Sequence, residues 1–178
     1  MSLKNFARLF GCKGKSALPA GAPAPHFSLS TPNGENLTLE GALQSGPVLV
    51  AFFKVSCPVC QFTFPFLQRM YERYGSGKFT FWAISQNDAE DTQEFLDKYG
   101  VKFPALLDEA GYAVSSAYGL TNVPTIFLIA PDGKIEMSSV GFSKGDLEKM
   151  ATEAARAAGL AAAGVFAANE NVPQYKPG

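Results

Sequence analysis

Cysteine, histidine and net charge are all scarce in this chain of 178 residues. Its three cysteines are too few for a disulfide-stabilised scaffold, and an odd number leaves one thiol unpaired. The 15 basic and 16 acidic side chains give a formal net charge of -1, so the sequence lacks the positive excess that binds nucleic acids and anionic membranes. We therefore expect neither a nucleic-acid partner nor a disulfide framework.

Long apolar runs are missing as well. A membrane-spanning helix needs roughly 18 apolar residues in succession, and no run in the sequence approaches that length. Lys4 and Arg8 interrupt the N-terminal stretch that would otherwise resemble the core of a signal peptide. We expect no membrane span, no export signal and, by default, a cytoplasmic protein. With 47% apolar residues, the chain has enough to bury the core of one domain.

Two of the three cysteines form a Cys-Pro-Val-Cys motif at residues 57–60. The motif follows the apolar run Val48–Phe53, which is typical of a strand buried on both faces, and it opens an amphipathic segment. Unpaired N–H groups and the dipole at a helix N-terminus favour a thiolate over a thiol, which makes Cys57 the candidate nucleophile. The positive charge of Lys54 either favours the Cys57 thiolate, or Lys54 is simply an exposed residue at the end of the strand.

The remaining patterns predict an α/β domain. Alternating residues around Asn33-Gly34 predict an N-terminal β-hairpin. A stripe with spacing four begins at Phe62 and predicts a helix after Cys60, with Pro65 inside it. We expect the outer face of this helix to carry Gln68, Arg69, Glu72 and Arg73. The later elements are expected in the order strand 79–85, helix 88–99, strand 103–107, helix 108–118, hairpin 126–140 and helix 143–158.

Composition divides the chain into three parts. Residues 1–20 read as a flexible leader that includes Cys12. Residues 21–158 hold the predicted domain. Residues 159–178 form a C-terminal extension. We expect its alanine-rich first piece to add a helical turn or two, and the part from residue 169 to be a frayed polar tail.

Four motifs and the order of the elements resemble the thioredoxin superfamily. The motifs are Ala-Pro-Ala-Pro-His-Phe-Ser-Leu at 22–29, the cysteine motif with Pro65, Val-Pro-Thr at 123–125, and Pro-Asp-Gly-Lys at 131–134. More narrowly, residues 21–158 resemble the redoxin branch, which contains the TlpA/ResA-type thiol-disulfide oxidoreductases and the AhpC/TSA-like peroxiredoxins. This resemblance implies a thioredoxin fold: a central mixed β-sheet flanked by helices, with an N-terminal β-hairpin and an inserted helix-strand element between Asn87 and Ala117.

The resemblance also implies a site. Cys57 would attack a disulfide and Cys60 would resolve the mixed disulfide. Pro124 is expected to be a cis-proline facing the cysteines, and Val123 would offer backbone groups to an extended substrate peptide. Pro58 and Val59 would complete the substrate-binding surface. The implied partners are a protein or small-molecule disulfide or thiol and an upstream thiol reductant or oxidant, with no cofactor or metal; we expect a monomer.

Four positions depart from the pattern of this superfamily. Ser56 replaces a common tryptophan, Ala51 occupies the site of a buried aspartate in many thioredoxins, and the residues between the cysteines are Pro58 and Val59. The residues between the cysteines influence the redox potential, so the sequence leaves the direction, reductase or oxidase, open.

Other functions remain open at this stage. A peroxiredoxin-like peroxidase would use Cys60 and would need an arginine from later in the chain, but no arginine lies between residues 74 and 155. A non-catalytic thioredoxin-fold binding module would need neither thiol. A structural zinc site would require Cys12 and His26 as further ligands, and these lack the spacing of a ligand pair.

Overall fold

The computed structural model describes residues 16–75 and 77–178, so most of the predicted leader, including Cys12, lies outside the described residues. The strands are β1 (Ser28–Ser30), β2 (Asn36–Thr38), β3 (Val48–Phe53), β4 (Thr80–Ser85), β5 (Ala105–Leu107), β6 (Thr125–Ile129), β7 (Ile135–Val140), β8 (Phe142–Ser143) and β9 (Tyr175–Lys176). The helices are α1 (Leu39–Leu43), α2 (Pro58–Tyr74), α3 (Ala89–Tyr99), α4 (Ala113–Ala117) and α5 (Lys144–Ala158).

A five-stranded mixed sheet, in the order β5-β4-β3-β6-β7, forms the centre of the protein. Strand β3 pairs in parallel with β4 and antiparallel with β6, so it lies in the middle of the sheet. All six of its residues are buried, as their uninterrupted apolar character predicts. The hairpin β1-β2 forms a separate two-stranded sheet. The mixed sheet, the N-terminal hairpin and the inserted elements α3 and β5 confirm the predicted thioredoxin fold.

Alternate residues of β3 belong to two different cores. Leu49, Ala51 and Phe53 join the core that α2, α3 and α5 cover. Val48, Val50 and Phe52 join a second core on the other face, beneath α1 and the N-terminal hairpin. Because side chains alternate between the faces of a strand, one apolar run supplies both cores and fixes β3 in the middle layer.

Aromatic side chains attach α2 to the rest of the first core. Phe64 lies 4.6 Å from Phe53 and 5.2 Å from Phe95, measured between ring centroids. Edge and tilted contacts of this kind add to the free energy of burial. Helix α2 therefore contacts both the central strand and α3 through a single buried ring.

The outer face of α2 differs from the prediction. Gln68 is buried, and its side-chain oxygen accepts a hydrogen bond from the Lys102 N–H at 2.8 Å. A buried amide needs such a partner, and the loop before β5 supplies it. In the described part of the chain, no helix has the length and apolarity that crossing a membrane requires.

The C-terminal extension is ordered along α2, so the predicted frayed tail is wrong. Residues 163–170, here called the anchor segment, lie against α2, and Val165 is only 2% exposed. Both guanidinium nitrogens of Arg69 donate to the Glu170 carboxylate, at 2.8 and 2.7 Å, and Arg73 donates to the Gly164 carbonyl. Further along, β9 pairs antiparallel with β8. Beyond Gly159, moreover, the alanine-rich piece forms no helix.

The Arg69–Glu170 pair predicts a pH-dependent stability. Hydrogen bonds from Arg69, and then from the Ala167 N–H, lower the pKa of Glu170 from 4.5 to about 2. A carboxyl with a lowered pKa in the folded state contributes stability above its unfolded pKa and loses that contribution as the pH falls towards the folded value. Glu170→Gln is therefore expected to lower the melting temperature by roughly 1–3 °C at pH 6.

The difference between the two proteins should vanish as the pH falls from about 4.5 to about 2, since the wild-type carboxyl is then protonated. Thermal melts monitored by circular dichroism at several pH values measure this convergence. Glu148→Gln is the matched control, because Glu148 is exposed on α5. Melting curves that stay equally separated at all pH values would contradict the stabilising role of the ion pair.

Candidate active site

The two cysteines of the motif lie at the junction of β3 and α2. Strand β3 ends at Phe53, and a turn closed by a hydrogen bond from the Cys57 N–H to the Lys54 carbonyl, at 3.0 Å, leads into the helix. Cys57 is the N-cap of α2 and Pro58 is its first residue. Proline suits this position because it lacks an N–H that would have no partner there. The sequence therefore places one thiol at the very start of the helix.

The Cys57 sulfur makes two polar contacts. It accepts a hydrogen bond from the Cys60 N–H, at 3.2 Å, and its thiol donates to the Val123 carbonyl oxygen, also at 3.2 Å. The side chain is half-buried. Cys57 thus caps the helix with sulfur in place of the usual oxygen and remains open to a partner.

Cys60 lies one turn further along α2 and is fully buried, in the same core as Ala51 and Phe64. Burial raises the pKa of the Cys60 thiol far above its ordinary value, and the neighbouring Cys57 side chain raises it further. The second thiol is therefore held neutral in the dithiol form. The two cysteines differ in burial, although they are three residues apart.

The loop before β6 faces Cys57. The peptide bond between Val123 and Pro124 is cis, as expected. The Thr125 hydroxyl donates to the Asn122 carbonyl at 2.7 Å, and the Gly141 N–H donates to the Pro124 carbonyl at 2.7 Å. These contacts fix the loop at both of its ends. Cys57, Cys60, Val123 and Pro124 are thus brought together.

The other predicted positions are less central. Pro58 is exposed and Val59 is half-buried, so the dipeptide between the cysteines is partly open to solvent. Lys54 is exposed, and its carbonyl closes the turn before Cys57. His26 contacts Glu40 at 3.2 Å, with both side chains about 70% exposed. Residues 16–75 and 77–178 contain no group of three or more His, Cys, Asp or Glu side chains that could hold a metal ion.

Two positioning residues were missed by the sequence analysis. The Val55 N–H donates to the Asn87 side-chain oxygen at 3.1 Å, and the Gln61 side chain donates to the Val55 carbonyl at 2.9 Å. Both polar groups of Val55 are therefore held, which fixes the turn that aims Cys57. The position of Asn87 just after β4 was the available signal, because parallel strands β3 and β4 end at the same edge of the sheet.

The unequal burial of the two thiols predicts unequal alkylation. In a Cys12→Ser background, iodoacetamide is expected to modify Cys57 at least about tenfold faster than Cys60, because the accessible thiolate is the reacting form. Timed quenching followed by peptide mass spectrometry measures both rates. In guanidinium chloride the two rates should become similar. Equal rates in the native, reduced protein would refute the described burial of Cys60.

Comparisons with known proteins agree with this geometry. A model of the AhpC/TSA family matches residues 20–138. The thiol-disulfide oxidoreductase ResA of Halalkalibacterium halodurans is 33% identical over 140 residues, which cover 78% of this chain and 77% of that protein. The ResA protein of Bacillus subtilis is 32% identical over 123 residues, which cover 68% of each chain.

Solved structures give the same fold. The crystal structure of a thiol:disulfide interchange protein of the thioredoxin family from Chlorobium tepidum is 26% identical, with a TM-score of 0.63, and the match covers 78% of this chain and 98% of that one. The thioredoxin domain of a thiol-disulfide oxidoreductase from Bacteroides vulgatus is 23% identical, with a TM-score of 0.68 and coverages of 77% and 98%, and it supports the fold alone. With its fold, its family match and its curated relatives in agreement, the chain belongs to the AhpC/TSA family, in the redoxin branch of the thioredoxin superfamily.

Proposed function

We propose that this protein is a thiol-disulfide oxidoreductase whose reacting groups are Cys57 and Cys60. The observation that carries the proposal is the position of the Cys57 sulfur. It is half-exposed at the N-cap of α2 and lies 3.2 Å from both the Cys60 nitrogen and the Val123 carbonyl oxygen. The ResA relatives are named thiol-disulfide oxidoreductases, which supports the proposal.

In the first step, the Cys57 thiolate attacks one sulfur of a partner disulfide. A bond forms between Cys57 and that sulfur, the partner's S–S bond breaks, and the second partner sulfur leaves as a thiolate. The Cys60 N–H donates to the Cys57 sulfur, and the positive end of the α2 dipole lies beside it. Both interactions favour negative charge on the attacking atom.

In the second step, Cys60 attacks the Cys57 sulfur. The intramolecular disulfide forms, the mixed disulfide breaks, and the partner leaves reduced. Cys60 must first lose its proton, and its raised pKa makes that loss unfavourable while the site stays dry. Ala51, buried in the same core, offers no base. The thiolate released in the first step, or water that enters with the partner, takes the proton.

The same two steps run in reverse when the oxidised protein meets a dithiol. The direction therefore depends on the reduction potential of the Cys57/Cys60 couple relative to that of its partners. Equilibration with defined ratios of reduced and oxidised glutathione, followed by quantification of the free thiols, measures that potential and distinguishes a reductase from an oxidase.

Substitution of the cysteines one at a time tests the dithiol mechanism. Cys57→Ser is expected to abolish the reduction of insulin disulfides, because the attacking atom is lost. Cys60→Ser is expected to accumulate mixed disulfides, because the resolving thiol is lost while Cys57 still attacks. Turnover and non-reducing mass spectrometry measure the two effects, and Cys12→Ser is the control. Full turnover in both active-site variants would refute the mechanism.

A peroxide assay distinguishes a peroxidase from the proposed thiol-disulfide oxidoreductase. Arg69 donates to Glu170 and Arg73 to the Gly164 carbonyl, so both are engaged with the anchor segment, away from any peroxide at Cys60. Cys60 is also fully buried. We expect no rapid consumption of hydrogen peroxide. Consumption that depends on Cys60 and survives Cys57→Ser would favour a peroxidase, and partner binding that survives both substitutions without turnover would favour a binding module.

A further inference from the structure

The last residues of the extension cross the face of the site that carries Val123. Residues 174–178 are here called the strap. The Lys144 N–H donates to the Gln174 carbonyl at 2.9 Å, and β9 pairs with β8. The Asn122 side-chain amide then donates to the Gly178 carbonyl at 2.9 Å. The strap therefore runs from the start of α5 to the loop that holds the cis-proline.

The strap contacts the backbone of Val123, which precedes the cis-proline, and of Gly141, whose N–H donates to the Pro124 carbonyl. The surface that these residues form is here called the groove. A side chain on Gly141 would overlap the Lys176 carbonyl, and one on Gly178 would come within 2.6 Å of the Val123 carbonyl oxygen. Gly141 also has a φ of 76°, which favours glycine. Little free space is left between strap and groove.

The attachment of the extension is uneven along its length. The anchor segment is held by the buried Val165 and by the paired hydrogen bonds of Glu170 to Arg69. In the strap, by contrast, only Lys176 is partly covered, and the side chain of Tyr175 is 55% exposed. The Lys176 ammonium lies 4.8 Å from the centre of the Phe62 ring, an attraction of modest strength at an exposed site. The anchor segment can therefore stay bound when the strap lifts.

We propose that the strap occupies the position of an extended substrate peptide and competes with it for the groove between Val123 and Gly141. The proposal rests on the proposed thiol-disulfide activity. A peptide that adds to this edge as a strand needs the same backbone surface that the strap covers. A small disulfide needs only the Cys57 sulfur, which is half-exposed with the strap in place. The strap thus selects against peptide disulfides until it is displaced.

Two variants that loosen the strap and keep the anchor segment test this inference. One ends the chain after residue 173, and the other is Lys176→Pro, which removes both the cation above Phe62 and the N–H of a paired residue. Lys134→Ala is the control, because Lys134 lies at the β6-β7 turn and pairs with Asp132. All proteins are compared in the reduction of insulin and of hydroxyethyl disulfide.

We expect kcat/KM for insulin to rise about three- to tenfold in both strap variants, since an intramolecular competitor lowers apparent affinity by the fraction of closed molecules. The rate with hydroxyethyl disulfide should stay within about twofold of the parent, which also shows that the variants are folded and that Cys57 reacts. An unchanged insulin rate would overturn the proposed competition. A lower insulin rate would also overturn it and would make residues 174–178 part of the binding site. A parent protein that reduces neither disulfide would instead overturn the proposed function.

Discussion

The hydrogen bond at the N-terminus of α2 fixes where the two thiols lie relative to the sheet. The first N–H groups of a helix have no partner within it, and here the Cys60 N–H donates to the Cys57 sulfur. Residues 54–57 alone separate the end of β3 from the start of α2, so the position of the helix start depends on the depth of β3 in the sheet. The continuous burial of β3, which contributes to both cores, sets this depth. The hydrogen bonds of Val55 to Asn87 and Gln61 then set the direction from which the chain enters the helix.

One helical turn separates two thiols that differ in burial and in their surroundings. Cys57 sits at the mouth of the site with two polar contacts, whereas Cys60 sits among apolar side chains with a strongly raised pKa. A buried thiol that stays neutral does not compete with Cys57 for the incoming disulfide. In the proposed mechanism, it becomes a nucleophile only after a partner has brought a base or water to the site. The burial of Cys60 therefore holds back its reaction until the second step, although residue 51 is an alanine and supplies no carboxylate.

Features that depend on neighbours in sequence were predictable from the residues. The approach of Val123 to Cys57 was expected only from the family resemblance, and other contacts between distant residues were not predicted. The burial of β3 followed from an uninterrupted apolar run, and the start of α2 at the cysteine motif from the amphipathic segment that the motif opens. The burial of Gln68 depends on Lys102, and the order of the C-terminal extension depends on the Arg69–Glu170 pair, whose partners lie 101 residues apart. No periodic pattern marks such contacts, so the polar segment from residue 169 was wrongly predicted to fray.

The long-range contacts give α2 two roles. Its first turn carries the reacting thiols, and its later turns hold the anchor segment through Arg69 and Arg73. These two arginines on α2 hold the extension, so neither takes the place of the later arginine that a peroxidase would require. The anchor segment is fixed on the same helix as Cys57, and only a few residues connect it to the strap. The strap therefore stays close to the groove even when the strap lifts. A tethered competitor of this kind has a high effective concentration, so a few weak contacts are enough to keep the groove mostly closed.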